Sequence, residues 1–197
     1  MIFFKRLTLK SLTKKAKAMQ QNRLLNQPSD AVLAKEIDLY LTMARIYQAF
    51  KSKKKNPFSD LMVRECLRAA ANLDSSSAQY ELGQKLLDEA KFRDNLEKEG
   101  VFANTSNHRQ AHHLFEEAHA YLLSAENLGH ILAKRLRGLC YINGWGVEVD
   151  KNKGFELVVA SIDQENSWDK VPQIFASIGL NKPEFFSALG KHRGKNS

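Results

Sequence analysis

Apolar residues recur along this chain at intervals of three and four, and no segment alternates as a strand would. That spacing places apolar side chains on one stripe of a helix. Leu33, Ile37, Tyr40, Leu41, Ala44 and Tyr47 share such a stripe and predict a helix over residues 31–50. Asp30 supplies its N-cap after Pro28-Ser29, and the lysine-rich run 51–56 terminates it. Pro57 opens the following helix, where its fixed φ suits the first turn and its missing N–H costs nothing. Upstream, Leu9, Leu12, Ala16 and Met19 fall on one helical face, with Lys10, Lys14 and Lys17 nearly opposite. The pattern predicts an all-α protein.

The centre of the chain carries a more specific pattern. Ala118, Tyr121, Ala125, Gly129, Ala133 and Gly138 stand three or four residues apart until the last step of five. Small residues at that spacing let two antiparallel helices approach closely. Tyr141, Gly144, Gly146, Val147 and Asp150 follow, and the two glycines supply a tight turn before Asp150 caps the next helix. Together these residues resemble the Sel1-like repeat, a relative of the tetratricopeptide helix pair. Two positions depart from that family's motif. Glu126 replaces the second alanine of a pair, and Arg137 replaces the leucine before Gly138.

A second copy lies 55 residues upstream, where Ala70, Asn72, Leu73, Ala78 and Gly83 match Ala125, Asn127, Leu128, Ala133 and Gly138. Asp74 takes the place of Gly129 there. The family's repeat is about 36 residues long, so this copy carries an insertion of roughly 19, placed at 92–107. A degenerate third copy begins at Asp150 and runs through Phe155, Leu157, Val158, Ala160 and Ser161, with Gly154 where the family prefers alanine. Its second helix falls on 171–180 and fits only with extra residues. The resemblance implies a short right-handed α-solenoid in which each helix pair buries its small-residue face on the next pair. Its parts are a basic amphipathic helix over 1–29, a capping helix and lysine-rich loop over 30–57, repeats over 58–180, and a C-terminal cap with a basic tail over 181–197.

Composition refines this picture through charge. The formal net charge is +8, from 30 Lys and Arg against 22 Asp and Glu. Residues 1–29 hold seven cations and no acid, the 51–55 loop adds four, and the last seven residues add three. The remaining body is mildly acidic, so basic ends flank an acidic repeat region. No run of 18 apolar residues exists to span a membrane, and the expected compartment is the cytoplasm, with membrane association through the N-terminus as the alternative. The N-terminal helix can pack as the first solenoid helix, dock on an acidic partner or lie on an anionic membrane. The lysines of the 51–55 loop have no interleaved aromatics for base stacking, which argues against nucleic acid. Cys66 and Cys140 fall at apolar helix positions and read as buried thiols, with Tyr141 beside Cys140 on the packing face.

Candidate chemistry is sparse. His108, His112 and Glu116 lie four residues apart on one stripe, a spacing that can chelate zinc, and define a histidine-dependent metal protein as one alternative. No nucleophile elbow, phosphate loop or dinucleotide fingerprint occurs, so neither an enzyme nor a cofactor is expected. The family resemblance implies a non-enzymatic adaptor or scaffold within a larger complex, as in bacterial signalling, envelope complexes or eukaryotic protein quality control. A groove lined by the first helix of each pair is then the partner surface. Its candidates are the exposed sides of 63–71 and 112–124, with His113, Glu117 and Ala120 as a polar ridge, and Lys10, Lys14 and Lys17 as a second contact row.

Overall fold

A computed structural model describes residues 2–51, 57–100, 105–180 and 182–193. Among these residues the chain forms α1 (Ile2–Leu25), α2 (Asp30–Lys51), α3 (Pro57–Ala71), α4 (Ser76–Lys98), α5 (Thr105–Asn127), α6 (Ile131–Asn143), α7 (Lys151–Glu165), α8 (Val171–Ser177) and α9 (Pro183–Arg193). A 3₁₀ turn at Trp168–Lys170 leads into α8, and no strand occurs among the described residues. From α1 to α7 each helix packs on the one before it, giving a solenoid of stacked helix hairpins. The three repeat copies are α3–α4, α5–α6 and α7–α8.

Small residues make the seams between copies. A Cβ on Gly138 would stand 2.6 Å from the Gly154 carbonyl oxygen, and one on Gly154 would meet Gly138 and Ile142, so α6 and α7 touch backbone to backbone. One copy earlier, a Cβ on Gly83 would meet Leu122 and the Ala118 carbonyl, which joins α4 to α5 at the matching positions. The expectation that each pair buries its small-residue face on the next pair holds at both junctions.

The first helix of each copy ends in the same way. Ser75 N–H donates to the Ala70 carbonyl, His130 N–H to Ala125, and Ser167 N–H to Ile162, each a six-residue closing bond of a left-handed helix terminus. The residue inside each turn has positive φ: Asp74 (60°), Gly129 (83°) and Asn166 (52°). Asp74 therefore takes the backbone shape of the glycine it replaces. The third copy closes one residue later than the spacing from Ala118 to Ala125 predicts, so its bond falls on Ile162 rather than Ser161.

Both ends of the stack are closed by the chain itself. On α1, Leu9 and Ala16 are buried and Leu12 and Met19 half-buried in the contact with α2. The Arg23 Nε donates to Glu36 Oε2 at 3.3 Å, and the Glu36 side chain is fully enclosed. The N-terminal helix is thus a packed helix of the solenoid, its apolar face turned inward. At the other end Phe155, Phe175, Phe185 and Phe186 form an aromatic cap across α7, α8 and α9, with ring centres 5.3–6.3 Å apart. Cys66 and Cys140 are buried and unpaired to one another. Among the described residues no helix is long and apolar enough to cross a membrane.

Candidate functional site

Two neighbouring helices outgrow the repeat. α4 and α5 each run 23 residues, against 13 for α6 and 15 for α7. The segment expected as an insertion, 92–107, falls where α4 and α5 meet: residues 92–98 continue α4, Glu99 and Gly100 turn out of it, and 105–107 begin α5, while 101–104 lie outside the described residues. The added turns carry little apolar signal. They are held by pairs four residues apart, Arg93 to Glu89 at 2.8 Å and Lys98 to Asp94 at 2.6 Å, which support helix on a polar surface.

The extension builds two open recesses that meet at Glu89 and Arg93. One, of about 660 Å³, lies between α3 and α4 and is lined by Asp60, Arg64, Lys85, Asp88, Phe92 and Leu96 beside the shared pair. The other, of about 520 Å³, lies between α4 and α5, with Arg109, Gln110, His113, Leu114 and Glu117 among its walls. Charged side chains span the helices here. Glu89 accepts from both Arg64 and Arg93, Arg93 also donates to Gln110 at 2.6 Å, and Arg68 bridges Glu65 and Glu117 at 2.7 and 2.8 Å. Each of these partly exposed pairs contributes about 1 kcal/mol or less. Their larger effect is to fix the long side chains in one arrangement. Against this ordered polar wall Phe92 stands 62% exposed, a large apolar side chain with no cover.

The predicted ridge is present in part. His113 and Glu117 both line the recess between α4 and α5. Glu117 is tied to Arg68 rather than free, and Ala120, exposed one turn on, is not among the lining residues. Lys10, Lys14 and Lys17 are all exposed on the outer face of α1, away from the recesses. His112 and Glu116 lie side by side at 3.5 Å, both well exposed. With His108 they do not converge on a metal position, and among the described residues no three His, Cys, Asp or Glu side chains do.

The repeat positions themselves hold a feature that spacing alone did not reveal. Glu126 and Arg137, the two departures from the motif, are an ion pair with each other, and both side chains are nearly enclosed. Their opposite charges at two paired positions were the available signal. Because Arg137 occupies the interior, Tyr141, expected on the packing face, stands half-buried beside it, under the ammonium of Lys153. Gly144 and Gly146 turn with φ of 72° and 71°, and a Cβ on Gly146 would land on the Phe115 carbonyl. That close approach lets Trp145 stack on Phe115 at 6.2 Å, with the Lys91 Nζ 3.9 Å from its ring centre. His130 caps α6 with Nδ1 accepting from Ala133 N–H, and its ring stacks on Tyr80 at 4.5 Å.

No family model and no curated protein matches the chain. Among solved structures it is similar to a Sel1 repeat protein from Oxalobacter formigenes, with 20% identity over 80% of this chain and 70% of that one, and a TM-score of 0.26.

Proposed function

We propose that this protein is a non-enzymatic adaptor that holds a segment of a partner protein in the groove formed by α3, α4 and α5. One observation carries the reading: two adjacent helices outgrow the repeat and leave Phe92 uncovered beside a fixed lattice of arginines and carboxylates. An exposed aromatic anchor rimmed by polar side chains is the composition of a protein-binding patch. The recesses are open rather than enclosed, which suits a chain segment lying along the surface more than a small molecule. Arg68, Glu117 and His113 form the polar rim on the α5 side.

A second reading, recruitment through α1, is supported by the exposed row Lys10, Lys14 and Lys17 on an end helix that contains no acid. It runs through those lysines rather than the buried apolar face, which favours an acidic protein partner over insertion into a bilayer. Affinity capture from native extract, read by mass spectrometry, separates the two. Phe92→Glu should abolish capture of the specific partner while leaving the thermal midpoint unchanged. Lys10→Glu with Lys14→Glu and Lys17→Glu should leave capture intact. The opposite pattern would transfer the function to α1.

A further inference from the structure

Glu126 and Arg137 occupy positions where the preceding copy has Ala71 and Leu82, both buried and apolar. The polar groups gathered around the pair do more than replace that contact. Arg137 is 8% exposed, donates to Glu126 through Nη1, and holds its guanidinium carbon 5.7 Å from the centre of the Tyr141 ring. Lys153, in the first turn of α7, brings its Nζ to 4.2 Å from the same ring centre; its backbone N–H donates to the Asp150 carboxylate, and among the described residues no carboxylate pairs with the ammonium itself. His119, from α5, meets the ring edge-on at 5.6 Å. Two buried nitrogens in this cluster, Arg137 Nε and His119 Nε2, have no hydrogen-bond partner.

These facts are costly together. An unsatisfied buried donor gives up its hydration without a hydrogen bond in exchange, and the loss is larger on a charged group. The local charge of Arg137, Lys153 and Glu126 is one positive unit in excess. His119 does not add to it, because burial first, then Arg137 and Lys153, push its pKa down to about 4 and keep the ring neutral. A neutral imidazole can present either nitrogen as a donor. The Lys153 ammonium, and behind it the Arg137 guanidinium, hold the Tyr141 phenol below its ordinary range, so its hydroxyl is a strong donor. The same chain builds an apolar contact at the equivalent place one copy earlier, so the repeat does not require this arrangement.

We propose that the cluster binds a single carboxylate, from an acidic side chain of a partner protein, with Lys153 and the Tyr141 hydroxyl at its mouth and Arg137 beneath. One negative charge neutralises the local excess, whereas a phosphate dianion would crowd Glu126 with an uncompensated charge. Charge-assisted bonds from an ammonium and a guanidinium suit a carboxylate acceptor. The site is separate from the α3–α5 groove and stands independently of that reading.

The test is an amide-resonance titration of the full chain with three probes: an acetylated and amidated tetraglutamate, the matching tetraglutamine, and inorganic phosphate. Tetraglutamate should give saturable shifts confined to residues 137–141 and 150–154, and tetraglutamine none. Lys153→Gln, at an exposed position, should weaken tetraglutamate binding about tenfold or more without lowering the melting temperature. Tyr141→Phe should weaken it in the same direction, and Phe92→Glu should leave it intact. Absence of saturable shifts, equal binding by the Lys153→Gln chain, or binding of phosphate with tetraglutamate silent would each overturn the assignment.

Discussion

The first and second repeat copies share a backbone plan and differ in where they keep their polar chemistry. Among the described residues of α3–α4 no charged side chain is buried, Ala71 and Leu82 stand where the second copy has its ion pair, and the novelty lies outside, in the extra turns that carry Phe92 and Arg93. In α5–α6 the second helix has 13 residues and the novelty lies inside, in the Glu126–Arg137 pair and the ring of Tyr141, His119 and Lys153 around it. Both copies close their first helix with the same six-residue bond and pack through matched small residues. A helical repeat therefore tolerates two kinds of departure so long as its seams and turns are kept. One lengthens helices beyond the repeat, and the other exchanges an apolar pair for a charged pair of complementary sign.

The most severe way to break this comparison is to remove one member of the buried pair. Glu126→Ala leaves Arg137 enclosed and unpaired and should destabilise the chain by about 3–5 kcal/mol in urea unfolding. Adding Arg137→Leu recreates the Ala71–Leu82 combination, and the double variant should return to within about 1 kcal/mol of the parent. Failure of the double variant to recover would mean the pair is held by more than its own compensation.

Acid should act on the second copy before the first. His119 titrates near 6.5 when unfolded and about 4 when folded, so the unfolded chain binds the extra proton between those values. Its contribution is complete above about pH 6.5 and is lost as pH falls toward about 4; the full shift corresponds to roughly 3 kcal/mol, and solvent screening of the half-buried ring reduces this to on the order of 2 kcal/mol. Burial also lowers the pKa of His130, whose ring must accept from Ala133 N–H to cap α6, which adds a loss in the same direction. In the first copy the corresponding cap is Ser75, which does not titrate in this range. His119→Gln should flatten the stability profile between pH 7 and pH 4.

Smaller effects sharpen the comparison at the seams. Gly154→Ala sets a Cβ against the Gly138 carbonyl and should cost about 2 kcal/mol, because backbone on both sides cannot yield. Gly83→Ala sets its Cβ 2.9 Å from Cγ of the buried Leu122 and 3.2 Å from the Ala118 carbonyl oxygen, so the leucine must move; the gain in helix propensity offsets part of this, and the cost should be about 1 kcal/mol. Smallest of all, Asp74→Gly relieves a left-handed backbone in a residue with a Cβ and should stabilise by up to about 1 kcal/mol, while Gly129→Ala should cost about that much. Thermal melts of the four variants give the ranking.

The helices were legible because their apolar residues keep a period near 3.6, and the seams because glycine and alanine stand at matched intervals. Asp74 could be placed in the turn because aspartate tolerates positive φ better than most residues. The groove was less visible for two reasons. Residues 92–98 and 105–107 offer only Phe92 and Leu96 as large apolar side chains, so their helical turns lean on ion pairs more than on burial. The lattice above them joins residues such as Arg64 and Glu89, or Arg68 and Glu117, that are 25 and 49 positions apart and meet only once the helices stack. Tyr141 was placed too deep because the spacing could not show that Arg137 fills the interior site.

The measurement that bears most directly on the account is hydrogen–deuterium exchange of the full chain, alone and with the partner captured from extract. Adding the partner should slow exchange in the second half of α4 and the first turns of α5, with the exchange of α1 unchanged. Protection confined to α1, with α4 and α5 exchanging as in the free protein, would contradict the central claim that the lengthened helices form the partner surface.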